Sequence, residues 1–263
     1  MFKREMKYNF KSFIIWLLVT LAIFLVVFLI YPSIISSDNI KMLDEVMAIF
    51  PEEIIKAFNF DLSSMDSVYG WLKTEGFVFI LLIIGSFAGI LGSSILLKEE
   101  NDKTIEYLHS LPVKRHSIVL SKVCVSLIYI ILFIVILSIF NLIGLTISGE
   151  FDFSEYLLLS ICPMFSALPI YFIILFASTF FHKTKKVFGL SLGFILVSYV
   201  LNTLSTIDTS VQFLKYTSVF ALSDIRNIII TNQISINIIL CSMFISIVFL
   251  ILTIIRYDKK DLI

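Results

Sequence analysis

This 263-residue chain predicts an all-α integral membrane protein: six transmembrane helices, both termini cytoplasmic, and short amphipathic helices at the interfaces. Three observations carry that prediction. Hydrophobic residues make up 59% of the chain and charged residues 15%, where a soluble domain carries roughly 25% charged. The apolar excess is gathered into six blocks of about 20 residues without a charged side chain, each long enough to cross a hydrocarbon core about 30 Å thick. The cations between the blocks are also segregated. Of 20 Lys/Arg, 15 fall in segments 1–12, 98–122, 182–186 and 256–263, beside seven Asp/Glu, while 32–75, 146–156 and 208–233 hold five Lys/Arg against thirteen Asp/Glu. The positive-inside rule places the first set, with both termini, in the cytoplasm. The whole of 1–263 reads as one transmembrane domain in the cell membrane.

Taken in order, residues 1–12 carry Lys3, Arg4, Lys7 and Lys11, with Phe2, Met6, Phe10 and Phe13 at helical spacing. This suits an amphipathic segment on the inner leaflet, or equally a solvated basic tail. No small-x-small cleavage site follows the first apolar run, so a removed signal peptide is not expected. Span one covers about 13–31, and Pro32 is expected to end it. The acidic loop 32–75 reads as two short helices resting on the outer surface, one with Ile40, Leu43, Met47 and Phe50 on one face, the other opened by Pro51. Span two, about 76–97, carries Gly85, Gly89 and Gly92, which let helix backbones approach closely in lipid. Spans three to six follow at about 123–145, 156–181, 187–207 and 234–255. Span four contains Pro163 and Pro169 and should kink, its freed carbonyls satisfied by neighbours. In span five, Gly189 and Gly193 form a second small-residue packing motif.

The charged centre between spans two and three is 98–122. Ile105, Leu108 and Leu111 share a face, with Glu99, Glu100, Asp102 and Glu106 directed elsewhere. This is a short amphipathic helix that Pro112 must end, or else an ordinary charged loop whose cations fix topology. Ser117 is positioned to cap the helix of span three.

Several function classes are disfavoured. There is no GxxxxGK(S/T) phosphate loop and no HExxH. Gly189-Leu190-Ser191-Leu192-Gly193 matches GxSxG, but a nucleophile elbow needs a strand–turn–helix setting. Cys124, Cys162 and Cys241 lie in or beside the apolar blocks and read as small buried hydrophobes. No Asp, Glu, Lys, Arg or His falls between the ends of the predicted spans, which disfavours an ion-coupled carrier.

The run Glu99-Glu100-x-x-x-Thr104-Ile105-Glu106-Tyr107-Leu108-x-Ser110-Leu111-Pro112-Val113-x-Arg115, with Lys122 before span three, resembles the signature of ABC-2 type exporter permeases. Leu214-Lys215-Tyr216-x-Ser218-x-Phe220 is a second, weaker likeness. That family often has Pro where this chain has Val219. The resemblance implies a permease that pairs with a second permease, as homodimer or heterodimer, and with two copies of an ABC ATP-binding subunit. It implies no cofactor in this chain, with ATP and Mg bound by the partner, and no nucleic-acid partner. It casts 98–112 as a coupling helix, with Glu99, Glu100, Thr104, Glu106, Leu108, Pro112 and Arg115 as ATPase-coupling residues, and 208–233 as an outer re-entrant turn. The substrate class that suits the apolar spans is amphipathic or lipophilic: a peptide, an antibiotic or a lipid-like molecule. The alternative is a non-transporting immunity or sensor protein that binds a toxin or partner through its acidic outer loop at 38–66.

Overall fold

The computed structural model describes residues 2–34, 67–105, 114–207 and 209–260. The predicted outer helices between 38 and 66 lie outside these residues. The helices are α1 (Phe2–Ile34), α2 (Val68–Trp71), α3 (Phe77–Ser94), α4 (Lys98–Asn101), α5 (Arg115–Ser148), α6 (Phe153–Ile161), α7 (Pro163–Ser178), α8 (Thr184–Leu204), α9 (Arg226–Thr231) and α10 (Ile236–Asp258). Six helical stretches are long and apolar enough to cross a membrane. Among the described residues there is no strand.

The helices overrun the predicted spans. α1 is continuous from Phe2, so the basic segment is the first three turns of the same helix rather than a separate one. Pro32 does not end it. A proline in the last turn removes one N–H and still has helical φ, so the helix runs on to Ile34. Span two begins at Val68, with a π-turn at Leu72–Gly76 joining α2 to α3. Lys73 and Glu75 therefore sit inside a spanning helix, as Lys122 sits inside α5. The sequence read Lys73 and Glu75 as loop. The Lys73 charge is accommodated because its Nζ lies 3.4 Å from Glu155, which also accepts from Tyr69 Oη at 3.0 Å, tying the outer starts of spans two and four together.

Packing centres on α3, which lies against α7 and α8, while α5 packs on α1 and α10 on α7. Its glycines explain this. A Cβ on Gly92 would stand 2.7 Å from the Tyr171 carbonyl oxygen of α7, and one on Gly89 would collide with Ser191 Oγ of α8. Gly85 faces Ile170 and the Phe220 ring. Gly189 and Gly193 are exposed on α8, and a Cβ added to either would meet nothing within 4 Å, so neither packs against the described residues of this chain. On the other side of α3, Phe87 stacks on Phe133 at 4.8 Å, with Phe13 and Tyr129 alongside, joining α1, α3 and α5 in one aromatic core. Such pairs add about 0.5–1.5 kcal/mol each beyond their burial.

Span four is broken at Cys162, between α6 and α7, and the carbonyl freed by Pro169 finds a partner as predicted. Pro169 denies a donor to the carbonyl four residues back, and Ser242 Oγ of α10 donates to that Phe165 oxygen at 2.8 Å. Ser223 Oγ donates to the Cys162 oxygen at 2.8 Å.

Replacing Ser242 with alanine leaves the Phe165 carbonyl unmet and should lower stability by about 1 kcal/mol. Gly92→Ala forces α3 away from the α7 backbone and should cost more, about 1–3 kcal/mol. Thermal unfolding in detergent reads both, and an unchanged midpoint for Gly92→Ala would contradict the close approach.

Candidate functional site

At the inner end of span two, three consecutive charged residues turn inward. α3 ends at Ser94, and after Ile95–Leu97 the chain re-enters helix at Lys98–Asn101. α4 stops at once because Lys103 takes a left-handed φ of 55°. Thr104 N donates back to the Glu99 carbonyl oxygen at 2.8 Å and Lys103 N to the Glu100 carbonyl oxygen at 3.4 Å. That paired bonding is a Schellman stop, with lysine at the position glycine usually fills. The single helix expected over 98–111 is therefore interrupted. The reversal sends Ile105 onto Ile118 at the start of α5, and α5 begins at Arg115, two residues before the Ser117 cap expected from sequence.

Lys98, Glu99 and Glu100 are all buried, and each binds a different part of the chain. Lys98 pairs with Glu5 of α1, which is fully buried, and its ammonium lies 4.3 Å above the Tyr8 ring. Glu99 Oε2 accepts from Lys122 of α5 at 2.5 Å, and its other oxygen faces Arg4 at 3.9 Å. Lys122 has no solvent exposure and also donates to the Ile95 carbonyl at 2.5 Å, meeting an oxygen freed where α3 breaks. Glu100 meets Lys260 at 2.6 Å and His182 Nδ1 at 2.8 Å. Lys260 also donates to the Phe181 carbonyl at 2.7 Å. Burial pulls the Lys260 ammonium below the ordinary lysine value, and Glu100 opposes that pull. Three carboxylates (Glu5, Glu99, Glu100) thus face three ammonium groups (Lys98, Lys122, Lys260). Together they fasten α1, α4, α5, the loop before α8 and the C-terminal end of α10 to one another. The contacts also bring the N-terminal end of α1, the 98–100 turn and the C-terminal end of α10 to the same end of the helical bundle.

Arg115 does not join this cluster. Its Nη1 donates to backbone oxygens of Asp258 at 3.1 Å and Lys260 at 2.9 Å, closing the end of α10. Thr104 is exposed, while Asn101 hydrogen-bonds the Thr184 hydroxyl at the start of α8. Glu106, Leu108 and Pro112 lie outside the described residues. Of the residues singled out from sequence, then, Glu99 and Glu100 come together, and Arg115 serves the C-terminus beside them. Glu5, Lys98, His182 and Lys260 were not foreseen. All four read as ordinary inner-side polar residues; burial separates Glu5, Lys98 and Lys260 from their solvated neighbours, and His182 is set apart by its contact with Glu100.

The second motif is also built in. Thr209–Thr217 and Val219–Ser223 are 3₁₀ turns. Ser218 Oγ donates to the Ser198 carbonyl at 2.7 Å, and Phe220 is buried against Gly85, well inside span two. Val219 N donates to Ser198 Oγ at 2.9 Å. A proline there would have no N–H to give, which is the physical consequence of this chain's departure at 219. Ser191 is fully buried against Gly89.

Six helices long and apolar enough to span a membrane, tied together at one end by this charged turn, define a multi-pass membrane protein. The family model described as ABC-2 family transporter protein matches residues 1–262. The chain belongs to that family and is the membrane-spanning permease component of an ABC transporter, a class that associates with an ABC ATP-binding subunit. No curated protein and no solved structure matches it.

Removing one member of the buried Glu99–Lys122 pair strands the other charge. Glu99→Gln and Lys122→Met should each destabilise by about 3–5 kcal/mol, while the double replacement should cost far less than their sum. Chemical unfolding of the four proteins in detergent measures this. Additive losses would show that the two side chains do not depend on one another.

Proposed function

We propose that this permease is driven as an exporter by a separate ATPase, with 98–112 as the segment seated on that subunit. The observation that carries this is the division of labour along the segment. Lys98, Glu99 and Glu100 turn into the protein and fasten to four other parts of it, while Asn101, Asp102, Lys103 and Thr104 are exposed beyond them. A short element held inside by ion pairs and open to water at its tip is suited to transmit a rigid-body push from a partner into the spans. In this reading Glu99 and Glu100 act by anchoring the segment rather than by touching the ATPase. The contact itself falls to Thr104, Glu106, Leu108 and Pro112. ATP and Mg are held by the partner, present in two copies, and a second permease completes the transporter. The exposed small-residue stripe of Gly189 and Gly193 is available to that second permease. The 209–223 turns, which carry Phe220 to Gly85, act as the outer re-entrant segment, held by the buried Ser218, Phe220 and Ser223. The cargo is an amphipathic or lipophilic molecule that leaves the cell, in keeping with spans lined by Phe, Ile, Leu and Ser.

Asp102→Lys combined with Glu106→Lys reverses two charges of the segment and replaces no member of the Glu5–Lys98, Glu99–Lys122 or Glu100–Lys260 pairs. Co-purification with the ATPase should fall, and ATP hydrolysis should drop to the rate of the ATPase alone, while membrane insertion and thermal stability stay as in the parent. Full stimulation with both lysines present would remove 98–112 from the coupling role.

A further inference from the structure

A small cavity lies where the π-turn end of α3, the later turns of α5 and the break in span four come together. Its volume, counted as the space open to the centre of a water molecule, is about 30 Å³. One water needs about 10–15 Å³ on that measure, so there is room for about two. Phe77 and Ile84 of α3 and Leu137 of α5 give it an apolar wall, and all three are buried.

The polar groups of the lining say what belongs there. Asn141 of α5 lines the cavity and is 2% exposed, and its Oδ1 meets no hydrogen-bond donor among the described residues. A buried amide oxygen without a donor forfeits its hydration, which costs more than fixing one water in place. The neighbouring hydroxyls have already placed their protons. Ser138 Oγ donates to the Ile134 carbonyl and Ser160 Oγ to the Leu157 carbonyl, both at 2.8 Å, and Tyr156 Oη donates to the Ser138 carbonyl at 2.5 Å. All three keep lone pairs that accept from water, and none has a proton left for Asn141. Pro163, also in the lining, has no N–H for the Leu159 carbonyl oxygen one turn back, and Leu159 lines the cavity too. Each of these oxygens is an acceptor. An apolar occupant brings no donor, whereas water brings two and is small enough to enter.

We propose that this cavity is a resident-water site, in which Asn141 Oδ1 accepts from one or two buried waters whose remaining bonds go to the oxygens around the break in span four. The site does not depend on the exporter reading. It serves the packing of spans two, three and four whether or not the protein moves cargo.

Brief X-ray irradiation converts water into hydroxyl radicals that react with the side chains beside them, so a ring next to a bound water is oxidised even where bulk solvent does not reach. Phe77 lines the cavity, whereas Phe87 and Phe133, stacked on one another in the core, are fully buried and do not line it. The full-length protein in detergent is irradiated, and oxidation of the three phenylalanines is followed by mass spectrometry. Phe77 should be oxidised several-fold faster than Phe87 or Phe133. In Asn141→Leu, which puts apolar atoms of similar size in place of the amide, the Phe77 rate should fall to that of the other two. Asn141→Ser keeps an oxygen and leaves more room, so it should retain the fast rate. Phe77 oxidised no faster than Phe87 in the parent would mean a dry cavity and overturn the proposal. An unchanged Phe77 rate in folded Asn141→Leu would overturn it as well, since the water reaching that ring would then not be held by Asn141. So would loss of the fast rate in Asn141→Ser, where both an oxygen and the space for water remain.

Discussion

The burial of Glu99 and Glu100 constrains the rest of the inner half of this molecule. Two adjacent carboxylates taken out of water are tolerable only if cations follow them in, since an unpaired buried charge costs several kcal/mol. Lys122 reaches Glu99 from α5, Lys260 reaches Glu100 from beyond α10, and Lys98 turns the other way to satisfy Glu5 of α1. Each demand for a counter-charge draws another element to the same point. The Schellman stop at Lys103 and the placement of Arg115 over the end of α10 follow from holding that turn short and the C-terminus close. Beyond the ionic turn, the packing of span two has a different logic, built on steric fit. Gly85, Gly89 and Gly92 let α3 lie against α7, α8 and the Phe220 ring.

The two kinds of packing meet in α3. Its inner end runs into the ionic turn and its middle is wedged between helices that carry the outer segment. A displacement of the 98–100 turn is therefore a displacement of α3, and through Gly92 and Gly85 it reaches α7 and the 3₁₀ turns. The break at Cys162 and the proline at 169 give span four places to yield, with Ser223 and Ser242 holding the loosened carbonyls. A continuous series of contacts, each with a local cause, thus runs from the ionic turn through α3 to α7 and the 3₁₀ turns.

Much of the architecture was legible in the sequence because it rests on one-dimensional signals. Six charge-poor blocks and an uneven split of Lys/Arg fix the number of spans and their direction, and the proline positions foretold the weak point in span four. The glycines of span two signalled close packing for the same reason. The site was only half legible. Glu99 and Glu100 stood out by resemblance, but nothing in the spacing distinguishes Lys260 from exposed Lys259, or Glu5 from the cations around it. Those differences arise when helices far apart in sequence converge. Lys73 looked like a loop residue because its partner, Glu155, lies far outside the local window. The left-handed Lys103 had no glycine to announce it. Gly189 and Gly193 show the reverse case: a packing motif sound in sequence whose partner is not among the described helices of this chain.

If the ionic turn and the spans move as one body, tying them covalently should change nothing. The direct measurement places cysteines at Glu5 and Lys98 together, a charge-neutral exchange of the α1 pair, and bridges them in the complex with the ATPase. ATP hydrolysis with the bridge closed should equal that of the same protein with the bridge reduced. Loss of stimulation on closing the bridge, restored on reduction, would mean that α1 and the turn separate during the cycle, and would contradict the ionic turn as a rigid transmission element.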